Sequence, residues 1–184
     1  MGASLKSMIK SGQFVLAPGV GDALGALMVQ KSGFSCVYVS GAQLSATQGY
    51  ADVGLLTMTE VISQISRICA AVDVPVISDA DNGYGNVLNM IRTVQEFERA
   101  GAAAIHLEDQ VFPKKCARFG GKELTPIDEM RGKIRAALDT RRSEDFLIIA
   151  RTDSRAADGV DAALDKGSRD NVTAVLLRYD GAPA

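Results

Sequence analysis

The sequence predicts an α/β fold of successive strand–helix units that form part of a (β/α) barrel. Short, continuously apolar runs alternate with segments of helical periodicity along the 184 residues, and such strands are typical of a parallel sheet covered on both faces. Polar residues follow five successive strands, at the end where parallel α/β folds build their sites. An open doubly wound sheet concentrates its site at one switch point, so five polar strand ends favour a barrel.

Six apolar runs are predicted to be strands. Each is short, and the first is followed directly by Pro18-Gly19, which ends it. Beta-branched and other apolar residues fill the third and fifth runs, as expected for strands buried on both faces. The predicted strands are Phe14–Ala17, Ser35–Ser40, Val74–Ser78, Ala103–Leu107, Phe146–Ala150 and Ala174–Leu177.

Five segments between and after these runs carry helix signals. The first has Asp22 as its expected N-cap, and its Ala23, Leu24, Leu27 and Met28 share one face of a 3.6-residue period. The third is ended by a C′ glycine, and the fourth opens with a Thr-Pro pair. The predicted helices are Asp22–Lys31, a segment beginning at Thr59, Asn89–Ala100, Thr125–Thr140 and Asp158–Lys166.

Two segments are predicted to be long loops. Gly41–Gly54 is rich in small residues, and Gln110–Leu124 is basic. Both exceed the length of a simple connector, and long loops in compact domains are often functional.

The length is small for a closed barrel. Eight strand–helix units need about 250 residues, so 184 residues accommodate about five to six of the eight strands. We expect residues 1–164 to form the partial barrel and residues 165–184 to be a divergent tail.

Composition excludes several classes of function. The net charge is −2 and the pI about 5.4, so no basic surface for nucleic acid is expected. No apolar run is long enough to span a membrane, and the first 13 residues do not read as a secretory signal. Three cysteines without CxxC spacing favour a reduced, cytoplasmic location. A single histidine, His106, rules out a His-rich metal site.

Carboxylates follow two neighbouring predicted strands. Asp79 and Asp81 come after the third strand, and Glu108 ends the fourth. Grouped carboxylate oxygens suit a hard divalent cation such as Mg²⁺ or Mn²⁺. The alternative is a turn in which the aspartates bond their own backbone.

Cationic residues surround one cysteine in the second long loop. Lys114-Lys115-Cys116 is followed closely by Arg118, and nearby cations lower the pKa of a thiol and raise its thiolate fraction. Cys116 is therefore a candidate nucleophile or acid/base group. The alternative is a solvated basic loop with an incidental cysteine.

Three further residues at strand ends are candidates for binding an anion. Arg151 suits bidentate capture of a carboxylate, although an ion pair with a neighbouring aspartate or glutamate is an equal alternative. Ser40 and Gly41 offer a hydroxyl and backbone N–H groups. His106 lies mid-strand and is interpreted as a core histidine with its hydrogen bonds satisfied, with a catalytic base as the alternative.

Taken together, five segments resemble the isocitrate lyase/phosphoenolpyruvate mutase superfamily, from about residue 5 to about residue 164. Their order and spacing make the resemblance specific, which no single segment does. The segments are Tyr38-Val39-Ser40-Gly41, Asp79-Ala80-Asp81-Asn82-Gly83-Tyr84-Gly85, His106-Leu107-Glu108-Asp109-Gln110, Lys114-Lys115-Cys116 and Ala150-Arg151-Thr152-Asp153.

The resemblance implies a TIM-like barrel, a Mg²⁺-bound 2-oxo acid and an enolate-type intermediate. It implies metal-site roles for Asp79, Asp81 and Glu108, some of them through water, with Mn²⁺ as an alternative ion. It also implies a homo-oligomer acting on a small carboxylate.

The same resemblance assigns substrate contacts. Tyr38, Ser40 and Gly41 match positions that hold the oxo-acid end of the substrate. Asp52 falls in the active-site loop after the second strand, and Arg151 matches the carboxylate-binding arginine.

The basic loop carries the implied acid/base group. Cys116 matches the thiol of members that cleave C–C bonds, with Lys114 beside it in the catalytic set. Ala117 and Arg118 stand where the family lyase motif usually has Gly and His. That departure removes a polar partner and makes an oxaloacetate-processing relative an alternative.

The last residues depart further. Residues 167–178 resemble the closing segment of a PP2C-type metal-dependent protein phosphatase, in which the aspartate of an Asp-Asn pair is a metal ligand. No other part of that family is present, so a fusion, a frameshift or a recombinant junction at residues 158–167 is our hypothesis.

These observations predict a Mg²⁺-dependent carbon–carbon lyase. Its expected substrate is a small 2-hydroxy di- or tricarboxylate similar to 2-methylisocitrate or isocitrate. The alternatives are an oxaloacetate-type hydrolase or decarboxylase, and a catalytically silent truncated fragment.

Overall fold

The structure, a computed structural model, describes residues 4–116 and 121–154. Five strands in this part of the chain form one sheet, and every neighbouring pair is parallel. The spatial order follows the chain order, without the reversal of a doubly wound sheet, which confirms barrel-type units. The strands are β1 (Gly19–Val20), β2 (Val37–Val39), β3 (Val76–Asp79), β4 (Ala104–Glu108) and β5 (Leu147–Arg151).

Helices connect the strands, and side chains at their N-termini stabilise several of them. The Asp22 side chain accepts a hydrogen bond from the Gly25 N–H at 2.7 Å, as its predicted cap role requires. Thr57 and Asn86 each form a capping box. The helices are α1 (Leu5–Lys10), α2 (Ala23–Lys31), α3 (Gly41–Thr47), α4 (Met58–Ala71), α5 (Val87–Arg99) and α6 (Ile127–Thr140). None of the helices in the described ranges combines the length and apolarity needed to cross a membrane.

The two faces of the sheet have different roles. One face packs on the helices, where Ile65, Phe97 and Leu107 are fully buried in the main core. The other face is apolar only at its amino end, where Cys36 and Ala104 pack with Leu5 of α1. Because side chains alternate along a strand, the residues two and four further on share this second face at its carboxyl end. The polar side chains at the strand ends therefore lie on this second face, next to the small apolar cluster at its amino end.

The prediction of a first strand over Phe14–Ala17 was wrong. The strand is Gly19–Val20, which pairs with Tyr38 and Val39, and Phe14 is 86% exposed. Pro18 explains the shift, because it has no N–H to donate to a ladder, and pairing begins after it.

The predicted apolar face of α2 was also wrong. Leu24 and Met28 are exposed, whereas Ala26 is fully buried. The helix passes close to β1, and a Cβ at Gly25 would lie 3.4 Å from the Val20 Cβ. Small residues face the strand because so close an approach leaves no room for leucine or methionine.

Smaller differences concern the first long loop and the N-cap of α6. The segment predicted as a loop from Gly41 begins with α3. Thr125 does not cap α6, since its hydroxyl donates to the Asp109 carbonyl at 3.2 Å and Pro126 occupies the N-cap. The predicted helix at 158–166, the predicted strand at 174–177 and the tail from residue 165 lie outside the described residues.

Candidate active site

The carboxyl edge of the sheet gathers most of the predicted site residues. Asp79, Glu108 and Arg151 are the last residues of β3, β4 and β5, and Ser40 directly follows β2. The register sets Glu108 beside Arg151. Parallel strands end at one edge, so side chains far apart in the sequence meet there.

A tight turn after β3 presents two carboxylates. Asp79 Oδ1 accepts a hydrogen bond from the Asp81 N–H at 3.0 Å, so the turn alternative raised from the sequence is present in the fold. Asp81 has a φ of 47° and Gly83 a φ of 84°. A Cβ at Gly41 would lie 2.9 Å from Asp79 Oδ2. Glycine at position 41 therefore gives the start of α3 its close approach to this carboxylate.

Lys114 joins two carboxylates from different connections, and we call Lys114, Asp52 and Asp81 the lysine cluster. Its ammonium contacts Asp52 Oδ1 and lies 2.9 Å from Asp81 Oδ1. The lysine side chain is only 6% exposed. The basic loop is therefore bound electrostatically to the connections that follow β2 and β3.

Arg151 also joins two carboxylates, and we call Arg151, Glu108 and Asp153 the arginine cluster. Its Nη1 lies 3.1 Å from Glu108 Oε2, and its Nη2 lies 2.9 Å from Asp153 Oδ1. Asp153 also pairs with the buried ammonium of Lys122 at 3.2 Å. The ion-pair alternative for Arg151 is thus observed, and the guanidinium lies beside the carboxylates of β3 and β4.

Burial and charge shift the pKa values of these groups. Burial, reinforced by Asp79, raises the pKa of Asp81 to about 6 against the opposing charge of Lys114. Burial raises the pKa of Glu108 to about 8 despite Arg151. Burial alone would also raise the pKa of Asp153, but Arg151 and then Lys122 hold it below its ordinary value. Negative charge at Asp81 and Glu108 is therefore only partly compensated.

Tyr38 and His106 line the same face between the two clusters. Tyr38 Oη and His106 Nδ1 are 3.0 Å apart. His106 Nε2 is buried without a hydrogen-bond partner among the described residues. The prediction of a fully satisfied core histidine is therefore wrong for one of its two nitrogens. Burial lowers the pKa of His106 and raises that of Tyr38, so both side chains are neutral at neutral pH.

The structure places Cys116 beside the lysine cluster through its backbone. The Cys116 N–H donates to the Asp52 carbonyl at 3.1 Å, and the side chain is half-buried. The Lys115 ammonium binds the Gly121 carbonyl at 2.5 Å.

Ser40 caps α3, since its hydroxyl accepts from the Gln43 N–H at 3.5 Å. Ala117 and Arg118 lie outside the described residues.

Three residues of this network were given no role in the predicted site, although Gln110 and Asp153 belong to the segments that carry the resemblance. Gln110, Lys122 and Asp153 are all buried, and each contacts another group of the site. A signal existed for two of them, because Gln110 and Asp153 stand two positions after Glu108 and Arg151. Lys122 carried no such signal.

The donor set fits a hard divalent cation that keeps part of its water shell. Asp79, Asp81 and Glu108 supply oxygen atoms, the ligand type that Mg²⁺ takes alongside several waters. Burial, with neighbouring carboxylates, raises the pKa of Asp81 and Glu108, so a bound cation would favour the charged forms of both side chains. No three His, Cys, Asp or Glu side chains in the described ranges are already arranged as direct ligands.

Parallel strand–helix units in chain order, with cations and carboxylates at the carboxyl edge of the sheet, are typical of (β/α)-barrel proteins, which build their ligand sites at the strand ends. A family model described as phosphoenolpyruvate phosphomutase matches residues 5–172. The chain therefore belongs to this family, within the phosphoenolpyruvate mutase/isocitrate lyase superfamily, which confirms the resemblance found in the sequence.

Two curated relatives are lyases. The chain is 49% identical over 166 residues to 2,3-dimethylmalate lyase of Eubacterium barkeri, covering 90% of this chain and 57% of the relative. It is 45% identical over 165 residues to 2-methylisocitrate lyase of Aeropyrum pernix, covering 90% and 53%. The chain spans about half the length of the curated relatives it matches.

Two solved structures share the fold. Phosphoenolpyruvate phosphomutase from Streptomyces platensis superposes with a TM-score of 0.84 at 38% identity, covering 89% of this chain and 57% of that one. Phosphonopyruvate hydrolase in complex with oxalate and Mg²⁺ superposes with a TM-score of 0.80 at 34% identity, covering 89% and 56%. Both carbon–carbon and carbon–phosphorus chemistry therefore occur among proteins similar to this one.

Proposed function

We propose that the protein is a Mg²⁺-dependent carbon–carbon lyase that cleaves a small 2-hydroxy di- or tricarboxylate into a 2-oxo acid and a carboxylate. The observation that carries the proposal is the backbone hydrogen bond that docks Cys116 on Asp52, whose carboxylate shares the Lys114 ammonium with Asp81. The similarity to two lyases supports the same reaction class.

Asp79, Asp81 and Glu108 are the residues we propose to hold Mg²⁺, directly or through water. When bound, Mg²⁺ would act as a Lewis acid that stabilises negative charge on the oxo-acid oxygens. Arg151 would bind the substrate carboxylate, and Tyr38, Ser40 and Gly41 would orient the oxo-acid end.

Bond cleavage follows the chemistry of a retro-aldol reaction. The 2-hydroxyl would pass its proton to a carboxylate of the site, its oxygen forms the C=O bond of the oxo acid, and the bond between C2 and C3 breaks. The electron pair of that bond passes to C3, and the Cys116 thiol supplies the proton that C3 takes up. Lys114, between Asp52 and Asp81, would keep these carboxylates in place beside the reacting carbon.

The first experiment measures Mg²⁺-dependent release of a 2-oxo acid by the purified chain. The substrates are 2-methylisocitrate, isocitrate, 2,3-dimethylmalate and oxaloacetate. Release from one of the first three, lost with EDTA and restored by Mg²⁺, is the expected result. C116S should abolish turnover, whereas the matched control C69S should retain it. Unchanged turnover in C116S would exclude the thiol from the reaction.

A second candidate is hydrolysis or decarboxylation of an oxaloacetate-type 2-oxo acid. It is favoured by Ala117-Arg118 in place of the lyase motif and by the likeness to a hydrolase structure. Consumption of oxaloacetate without cleavage of the other three substrates would establish it. No turnover of any substrate, with a cooperative melt unaffected by Mg²⁺, would indicate a folded but catalytically silent chain.

A further inference from the structure

Gln110 is a buried polar side chain that is not among the residues assigned to the proposed reaction. It is 1% exposed and lies two residues after the end of β4. Its Nε2 donates to Glu108 Oε1 at 2.9 Å, to Asp153 Oδ2 at 2.7 Å and to the Lys115 carbonyl at 3.0 Å. Its Oε1 accepts from the Lys115 N–H at 2.9 Å.

The chemistry of an amide fixes the orientation of this side chain. Only the NH₂ group can donate to two carboxylates and a carbonyl, and only the amide oxygen can accept from a backbone N–H. Two amide protons serve three acceptors, so one proton is shared. Every polar atom of the Gln110 side chain is therefore used, which is the arrangement that specifies one geometry in a buried network.

Gln110 lies at the start of the loop that carries Cys116. Its backbone forms an antiparallel bridge with Leu124, and the Val111 N–H donates to the Glu123 carbonyl at 2.8 Å. These contacts hold together the two ends of the segment that carries Cys116. The side chain bonds both backbone groups of Lys115, the residue next to the cysteine.

We infer that Gln110 is a positioning residue that holds the Lys114–Cys116 segment against the ends of β4 and β5 and thereby sets the place of the Cys116 thiol. The inference rests on the proposed function, in which that thiol supplies a proton. Through Glu108 and Asp153 the same amide also contacts the arginine cluster, so the thiol and the carboxylate-binding guanidinium are held in one frame.

The test compares Q110M, which keeps the length of the side chain and removes its amide, with the matched control Q95M on α5. Iodoacetamide labels the intact folded chain, and peptide mass spectrometry follows each cysteine separately. Cys36 and Cys69 serve as internal standards, because burial raises the pKa of each thiol to about 11. We expect labelling of Cys116 alone to become about tenfold faster, the equivalent of a lost hydrogen bond.

Turnover provides the second readout. Q110M should lower kcat about tenfold and leave KM within about threefold, because Arg151 keeps its own ion pairs with Glu108 and Asp153, whereas the Lys115 backbone loses both of its bonds to the amide. Q110E retains the acceptor for Lys115 and loses both donors, so it should change labelling and kcat in the same direction.

The outcomes separate cleanly. Unchanged labelling of Cys116 in both folded variants would overturn the inference. A parallel rise at all three cysteines would also overturn it, because Gln110 would then support the fold as a whole. If the wild-type chain turns over no substrate, the proposed function fails, while selective labelling of Cys116 still decides whether Gln110 positions that segment.

Discussion

The lysine cluster and the arginine cluster each place one cation between two carboxylates, but they stand on different supports. Arg151 and Glu108 are strand-end residues set side by side by the register of β4 and β5. Lys114, Asp52 and Asp81 all lie on connections between regular elements. The sheet therefore fixes one pair directly, whereas the lysine cluster depends on how three connections fold.

The two clusters also differ in how the cation is shared. Arg151 makes three hydrogen bonds to Asp153, which a second cation and Gln110 also contact, and it makes one ion pair to Glu108. Arg151 and Lys122 consequently lower the pKa of Asp153, whereas burial raises that of Glu108 despite Arg151. Arg151 therefore compensates the charge of Asp153 more fully than that of Glu108. A further positive charge beside Glu108 would stabilise its carboxylate form.

The largest effect is expected on removing Arg151. R151M leaves two buried carboxylates without their main counter-charge and should lower the free energy of unfolding by about 3–5 kcal/mol. Urea denaturation at pH 7 measures the change. The matched control R131M breaks an exposed pair with Asp128 and should change stability by less than about 0.5 kcal/mol. Equal losses in the two variants would contradict the view that the strand-based cluster supports the fold.

A smaller effect is expected on removing Lys114. K114M should cost about 1–3 kcal/mol, because its carboxylate partners lie nearer to water than those of Arg151 and can be rehydrated. Urea denaturation of K114M beside R151M measures the difference. K6M, which removes a cation from a more exposed pair with Glu144, is the control. A loss in K114M larger than that in R151M would reverse the ranking of the two clusters.

The smallest effect at neutral pH is expected for D153N, and it should depend on pH. The asparagine keeps the shape and one acceptor oxygen, so about 1 kcal/mol should be lost at pH 7. The pKa of Asp153 is lowered in the folded state, so its contribution is present above the unfolded pKa and is lost as the pH falls through the folded value. Urea midpoints of the wild type and D153N should therefore converge as the pH falls below about 4, the ordinary pKa of an aspartate. A gap that stays constant over this range would show that the charge of Asp153 contributes nothing.

The features predicted correctly from the sequence are those that depend on a single hydrophobic periodicity. The alternation of strands and helices, the parallel sheet and the polar strand ends were all predicted, because continuous apolar runs and helical faces are local signals. Asp79, Glu108 and Arg151 could be placed at one edge because parallel strands end together. The buried residues of α4 follow the same kind of local signal, since Val61, Ile65 and Ile68 recur at helical spacing.

The failures come from interactions that no local pattern encodes. The phase of α2 is set by how closely it approaches β1 at Gly25, and the first strand is delayed by Pro18. The ion pairs of Lys114 with Asp52 and Asp81 were not predicted, because the three residues lie on separate connections. Lys122 was missed because its partner Asp153 lies more than thirty residues away in the chain.

The chain order of the strands has a consequence for how the protein is made. Each strand pairs with the strand that precedes it in the sequence. The partner of every new strand has therefore already been synthesised, and the loop that must close between the two strands is short. The carboxylates at positions 52, 79, 81 and 108 leave the ribosome before Arg151 does. Until β5 docks, Glu108 lacks its guanidinium, so we expect the last described unit to join in a step that salt and acid alter more than they alter the earlier ones.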